Sequence, residues 1–140
     1  MARFGRHAVE LSFTSDRFDH SSELPVDANA GNRFYGRDVA EFVTEGLAGR
    51  GLVASFLDED WGWQVHARRA DGSVLEVSIY HNPEEEAARE DEWLLLVRLL
   101  RRGLLRSREV EVDPDVVSTL EDVFRGAGIA VQASAAQRFG

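Results

Sequence analysis

The residues best suited to chemistry fall on one face of a β-hairpin that the sequence predicts between residues 61 and 81. His66, Glu76 and Tyr80 supply an imidazole, a carboxylate and a phenol to this face, and His81 follows at its end. Such groups on a rigid surface could bind a polar ligand or move a proton. The alternative interpretation is an ordinary solvated face on which His66 and Glu76 form a cross-strand pair, which is the more common arrangement.

The hairpin follows from two runs in which apolar odd-numbered residues alternate with polar even-numbered ones, as is typical of half-buried strands. A two-residue loop would set Ala67 opposite Glu76, placing a carboxylate among apolar side chains. A three-residue loop at 70–72 sets Ala67 opposite Leu75 instead, and it puts Gly72 where such loops need a left-handed residue. The other predicted pairs are Arg69 with Ser73, His66 with Glu76, Val65 with Val77, Gln64 with Ser78, Trp63 with Ile79 and Trp61 with His81.

The run from Trp93 to Leu100 fits both a helix face and a strand. We interpret it as a strand because it follows two hairpin-linked strands. Leu94 and Leu96 then join Tyr80 on the uncovered face, where an exposed apolar patch usually marks a partner surface. The functional interpretation is a sheet-to-sheet homodimer through Tyr80, Leu94 and Leu96. The equally weighted alternative is that the long first loop or the segment 102–108 folds over the patch.

Two acidic stretches, 58–60 and 84–86, flank one end of the hairpin. With His81 they could hold a divalent cation, but their spacing matches no calcium-loop pattern. They could also meet a basic protein partner, and solvated loops are the more common arrangement. Trp61 and Trp63 could stack on a ligand, although inward positions on a strand favour a place in the core.

A local basic patch is predicted from Arg101, Arg102, Arg106 and Arg108. It could contact phosphate, but we favour pairing with the acidic loops. Residues 28–33 lie just before the first helix, where an anion could bind to free backbone amides. They lack the glycine and lysine pattern of a phosphate loop, so we give this site little weight. No catalytic triad or zinc motif can be assembled from the four histidines. The sequence therefore predicts no catalytic residue, no metal site and no cofactor.

Composition narrows the class of protein. The net charge of -9 argues against nucleic-acid binding, which depends on neutralising phosphates. There is no cysteine, no signal peptide and no apolar run long enough to span a membrane, so we expect a cytoplasmic protein that does not bind membranes. All 16 basic residues are arginine, which is typical of a GC-rich bacterial genome.

The predicted elements lie in one domain, residues 1–140. The first half has a strand at 7–13, a long polar loop at 14–32, a helix at 37–48, a strand at 52–57 and the two hairpin strands. The second half has a strand at 93–100, an Arg-rich connector at 104–112 that could be partly extended, a helix that Asp113 caps and Pro114 begins, a possible last strand at 129–133 and a frayed tail at 134–140. Gly46 lies inside the first helix, which predicts close packing against the sheet.

This order predicts an α+β, two-layer sandwich: an antiparallel meander sheet of four to six strands with two helices on one face. The sequence of elements, β-α-β-β-β-β-α with a possible last strand, resembles the folds called TBP-like. That likeness is one of architecture and carries no function.

Two hypotheses for function follow. The first is a non-enzymatic protein-binding or oligomerisation module that acts through its sheet face or acidic loops, for example as an immunity-protein-like protector of a basic partner. The alternative is a small-molecule-binding protein or an enzyme, with His66, Glu76, Tyr80 and His81 lining a pocket. Depth separates the two hypotheses, because a flat face favours the first and a concave pocket favours the second.

Overall fold

The computed structural model describes residues 7–18, 36–59, 62–80 and 92–135. Its elements are β1 (Val9–Thr14), α1 (Arg37–Ala48), β2 (Val53–Glu59), β3 (Gly62–Arg68), β4 (Val74–Tyr80), β5 (Glu92–Arg102), β6 (Ser107–Val110), α2 (Pro114–Arg125) and β7 (Gln132–Ala135). The predicted bounds of the first helix and the start of the second are confirmed.

One antiparallel sheet holds the described strands in the order β2-β3-β4-β5-β1-β7, and β6 also pairs with β5. At 11 residues, β5 is the longest strand. One of its edges pairs with β4, and the other is shared between β1, which pairs with residues 92–97, and β6, which pairs with residues 99–102. The interpretation of residues 93–100 as a strand is therefore confirmed.

Both helices pack on one face of this sheet. Odd-numbered residues of β3, β4 and β5 point into the core, where they meet Val43 and Leu47 of α1 and Leu120 and Phe124 of α2. Even-numbered residues of the same strands point to the opposite side, which we call the open face. The predicted two-layer α+β sandwich is confirmed, with β6 taking the sheet to seven strands.

The β3–β4 hairpin has the predicted three-residue loop. The Arg69 amide donates to the Ser73 carbonyl at 2.9 Å, and the strand pairs from Arg68 to Trp63 follow in the predicted register. Gly72 has φ 87, in the left-handed region that glycine tolerates best. Hydrogen bonds from the Ser73 hydroxyl and amide hold the pKa of Asp71 below its usual range.

The same hairpin is tied to the start of α2. The Asp113 side chain accepts a hydrogen bond from the Val116 amide at 3.0 Å, which caps the helix. Its second carboxylate oxygen accepts from Arg69 Nη1 at 2.9 Å. One carboxylate therefore fixes both the helix start and its position against the sheet.

Several boundaries differ from the prediction. β1 begins two residues later, and the Arg-rich connector contains β6. The last strand starts at Gln132, because the buried Ile129 closes the end of α2 by donating its amide to Phe124. Residues 134 and 135 belong to β7 and pair with β1. Most of the predicted long loop and the rest of the tail lie outside the described residues.

The predicted packing of Gly46 against the sheet is wrong, because Gly46 packs against α2. A Cβ placed on Gly46 would lie 2.5 Å from Cγ1 of Val123. The missing side chain therefore lets the two helices approach each other on the sheet.

We expect Gly46→Ala to lower the free energy of unfolding by about 1 kcal/mol, because overpacking costs about 1–3 kcal/mol and exceeds the gain of about 1 kcal/mol from removing a helical glycine. Urea unfolding followed by tryptophan fluorescence measures this change. Gly49→Ala is the matched control. Gly49 has φ -64, and a Cβ placed on it would contact only carbonyl oxygens of α1, at ordinary van der Waals distance. A smaller loss for Gly46→Ala in a Val123→Ala background would identify Val123 as the cause, and equal losses in both backgrounds would contradict it.

Candidate functional site

A polar row crosses the open face of the sheet. Strand register sets Ser55 opposite His66, His66 opposite Glu76, and Glu76 opposite Arg98. The predicted pairing of His66 with Glu76 is confirmed as a register pair. Four adjacent strands, β2 to β5, therefore contribute one residue each to a single line of polar side chains.

The nearest polar partner of His66 is an amide and not a carboxylate. His66 Nε2 lies 2.7 Å from Gln64 Oε1 and 3.9 Å from Glu76 Oε2. Gln64 Nε2 lies 3.1 Å from Ser78 Oγ and 3.4 Å from Glu76 Oε1, so the oxygen of this amide faces the imidazole. Because an amide oxygen can only accept, Nε2 carries the proton. Nε2 of His66 therefore already donates its proton to the hydrogen bond with Gln64.

Arg98 ends the row on β5 and contacts two carboxylates. Its Nη1 donates to Glu76 Oε1 at 3.2 Å and its Nε donates to Glu109 Oε1 at 2.9 Å. The two carboxylate side chains are only 15% and 14% exposed. The other oxygen of Glu109 accepts the backbone amide of His7 at 3.2 Å. Arg98 thus links β4 to β6, and Glu109 links β6 to the chain before β1.

Sequence reasoning missed Arg98 and Glu109. A signal for the first was present, because Arg98 is the one charged residue between Trp93 and Leu100 and has the parity of the open face. No comparable signal marked Glu109, since its role depends on β6, which lies in a segment that was predicted as a connector, partly extended at most. The pair shows that the candidate site extends beyond the hairpin on which it was predicted.

Tyr80 lies on the same face, one register row beyond the pair of Ser78 and Leu96. Burial raises the pKa of Tyr80 above its ordinary value, and the smaller effects of a hydrogen bond with Ser78 and the charge of Arg98 lower it. Its phenol is therefore protonated at neutral pH. The fourth predicted ligand-binding residue, His81, lies outside the described residues.

The predicted apolar patch is less exposed than expected. Leu96 is only 5% exposed and lies between Glu10 and Ser78 in register. Tyr80 and Leu94 are half-buried. Leu96 therefore has little surface to offer a partner, and the interface through these three residues stays a prediction.

The other predicted side chains are dispersed. Trp63 is buried in the core as expected, and Trp61 lies outside the described residues. Asp58 and Glu59 end β2, whereas the second acidic stretch is not described. Within the described ranges, no three histidine or acidic side chains converge to hold a metal ion. In the predicted basic patch, Nη2 of Arg101 lies 3.6 Å from Oδ2 of Asp71.

The described cavities lie away from the polar row. The largest of three, about 420 Å³, is bordered by the ends of β1 and β5 and by the connection from α2 to β7. None of the three includes His66, Glu76 or Tyr80 in its lining. These residues sit on the pleated surface of the sheet, where each bonds to another side chain of the open face. His66 bonds to Gln64, Glu76 accepts from Gln64 and Arg98, and Tyr80 bonds with Ser78.

Comparison with protein families, with curated proteins and with solved structures finds no match to this chain. Neither of the two described helices is long and apolar enough to cross a membrane.

Replacing Arg98 by methionine should lower the free energy of unfolding by about 2 kcal/mol, because two mostly buried carboxylates lose their cation. The loss stays below that of a fully buried pair because Arg98 is partly solvated. Chemical denaturation measures it, and Arg108→Met on exposed β6 is the matched control. A loss no larger than that of the control would show that Arg98 does not hold the row together.

We expect the free energy of unfolding to fall at alkaline pH because of Tyr80. Its pKa is raised in the folded chain, so the unfolded chain ionises first as the pH passes about 10, and stability falls until the folded pKa is reached. Chemical denaturation at rising pH should show a steeper loss for the wild type than for Tyr80→Phe. The difference in tyrosinate absorbance between the two proteins reports the pKa directly, and a midpoint at or below the ordinary value would contradict the assignment.

Proposed function

We propose that this chain is a non-enzymatic protein-binding module that acts through one end of its sheet, the tip of the β5–β6 hairpin. The observation that carries the proposal is the full exposure of Leu104 and Leu105 at the tip of the β5–β6 hairpin. The Gly103 amide donates to the Arg106 carbonyl at 2.9 Å, so the two leucines occupy the centre of a tight turn. Burying a leucine is worth about 1.5–3 kcal/mol, and a partner that covers this tip gains that free energy.

Arginines surround the tip and define the chemistry of the partner. Arg101 and Arg108 are opposite each other in register, and like charges in such positions repel. The four arginines between residues 101 and 108 are all exposed, namely Arg101, Arg102, Arg106 and Arg108. Within the described residues, Arg101 alone of these has an acidic partner. A surface with an apolar pocket and an acidic rim would match both the leucines and the unpaired charge.

A protein fits this surface better than a nucleic acid or a membrane. The hairpin from Arg101 to Arg108 has no aromatic side chain on which a base could stack. The chain as a whole carries a net charge of -9, which repels polyanions beyond the reach of the hairpin. A protein pocket can supply apolar contact and a few acidic groups without a large anionic field.

The polar row supports binding over catalysis. His66 donates to Gln64, and Glu76 accepts from Arg98 and Gln64. Groups that satisfy one another on an extended sheet stabilise the surface and need no substrate. The small-molecule and enzyme hypothesis receives no support from depth, because the described cavities lie elsewhere.

If the partner were instead a basic protein, it would bind the acidic residues at the opposite end of the sheet. Asp58 and Glu59 end β2 there, and Glu92 begins β5 at the same end. The two leucines favour the hairpin tip, because charge alone on a solvated surface adds little affinity. The two ends are far enough apart to be tested separately.

Site-specific photo-cross-linking in lysate of the source cells tests the proposal. A photoreactive residue at position 105 should capture one protein in near-stoichiometric amount, and the same residue at Ser118, exposed on α2, should not. Leu104→Ser should abolish the capture by lowering apolar contact. Capture from position 59 alone would favour the basic partner, and no capture from either position would contradict a protein-binding role.

A further inference from the structure

The free edge of β2 is a second surface, distinct from the hairpin tip. β2 ends the sheet and pairs with β3 alone among the described strands. The bond from Arg69 to Ser73 sets the alternation of hydrogen bonds across β3, since bonded and non-bonded pairs alternate in an antiparallel ladder. It follows that residues 53, 55, 57 and 59 bond to β3. The backbone groups of Ala54 and Phe56 therefore point outward from the edge.

Within the part of the chain that the structure describes, this edge lacks the features by which proteins protect exposed strands. Residues 53–57 contain no charge, no proline and no glycine, and their pairing with β3 has no bulge. Val53 is 64% exposed and Leu57 is 39% exposed. An apolar, regular edge of this kind is a template for another strand. The strand at the other end of the sheet, β7, has only four residues.

We propose that two copies of this chain pair through the free edges of β2, antiparallel, with Ser55 opposite Ser55 of the second copy. Ala54 then lies opposite Phe56 of the second copy, and the reciprocal pair repeats the contact. Both residues direct their backbone groups outward, so each of the two pairs can exchange both of its hydrogen bonds. The inference concerns the edge and goes beyond the proposed binding through the hairpin tip.

Side chains select this register over its neighbours. With Ser55 at the two-fold axis, Val53 faces Leu57 on the open face and Ala54 faces Phe56 on the helix side, so apolar groups meet on both faces. A shift that puts Phe56 on the axis sets Val53 opposite Glu59. A shift that puts Ala54 on the axis sets Leu57 opposite Gly51, beyond the end of the strand.

Charge favours the same register. Glu59 of one copy comes opposite Gly51 of the other and therefore beside the exposed Arg50. The two-fold axis repeats this contact at the other end of the strand pair. The chain thus has a basic residue just before β2, an apolar middle and an acidic end, which is the order that an antiparallel pairing with itself requires.

The helix layer also fits. The two-fold axis is perpendicular to the sheet, so both copies of α1 lie on one side and both open faces lie on the other. Because α1 packs on β2 and β3, the two copies of α1 would be separated by about two strand spacings, or about 10 Å. That separation is within the ordinary range for packed helices.

A single cysteine tests the axis, because the chain has none of its own. Ser55 belongs to a pair without hydrogen bonds, whose Cα atoms would be about 4.5 Å apart, within the range that a disulfide spans. Mild oxidation of full-length Ser55→Cys should give a covalent dimer that dithiothreitol reverses. Ser118→Cys on α2 and Leu57→Cys on the same strand should remain monomeric. Dimer formation by Ser55→Cys no greater than that of these controls would overturn the proposal.

A charge exchange tests the register without a covalent bond. Val53→Glu and Leu57→Arg should each weaken dimerisation at least tenfold by sedimentation, because each sets a charge against an apolar side chain. The double variant should recover it, since the new carboxylate and guanidinium then face each other. Leu104→Arg is the control for an exposed leucine elsewhere. A wild-type chain that stays monomeric at about 100 μM would overturn the proposal, whereas the cross-linking from position 105 would still stand or fall separately.

Discussion

The alternation of side chains along β5 is the constraint on which the rest of the structure depends. Trp93, Leu95, Val97 and Leu99 are all buried in the core, so the even-numbered residues must face the other way. Because β5 pairs with β4, β1 and β6, it passes this parity to strands on both sides. A slip of one residue would turn the core of each strand toward solvent.

Arg98 shows how the sheet tolerates a charge within its most apolar strand. The parity of β5 directs the guanidinium away from the core, and Glu76 and Glu109 receive it from neighbouring strands. The carboxylates are poorly solvated and therefore depend on the arginine. In consequence the centre of the open face is held by mutual pairing, and Leu96 and Ser78 at this centre are almost fully buried.

Exposed apolar groups are instead found at the boundaries of the sheet. Val53 and Leu57 lie on the free edge, and Leu104 and Leu105 lie at the hairpin tip. β2 and β5 are three strands apart, which is about 14 Å at the usual strand spacing. Pairing at the edge and binding at the tip therefore use separate surfaces, and a dimer would present two tips to partners.

Local signals in the sequence determined much of this protein. The loop of the β3–β4 hairpin followed from parity and from Gly72, and the same parity sets His66 opposite Glu76. The start of α2 followed from Asp113 and Pro114, and the bounds of α1 from the period of its apolar residues. These signals act within a few residues of the chain, where backbone geometry leaves few alternatives.

Tertiary structure alone decided the rest. The pairing of Arg98 with Glu109, the packing of Gly46 on Val123 and the burial of Leu96 join residues from different elements. The strand β6 and its pairing with β5 formed where a connector, partly extended at most, was expected. Alternation assigns a residue to a face, but it does not say which side chain of a neighbouring strand will reach it or how much of its surface will be covered. Those outcomes depend on the path of the whole chain, because contacts between distant segments form only when the sheet and its helices are assembled.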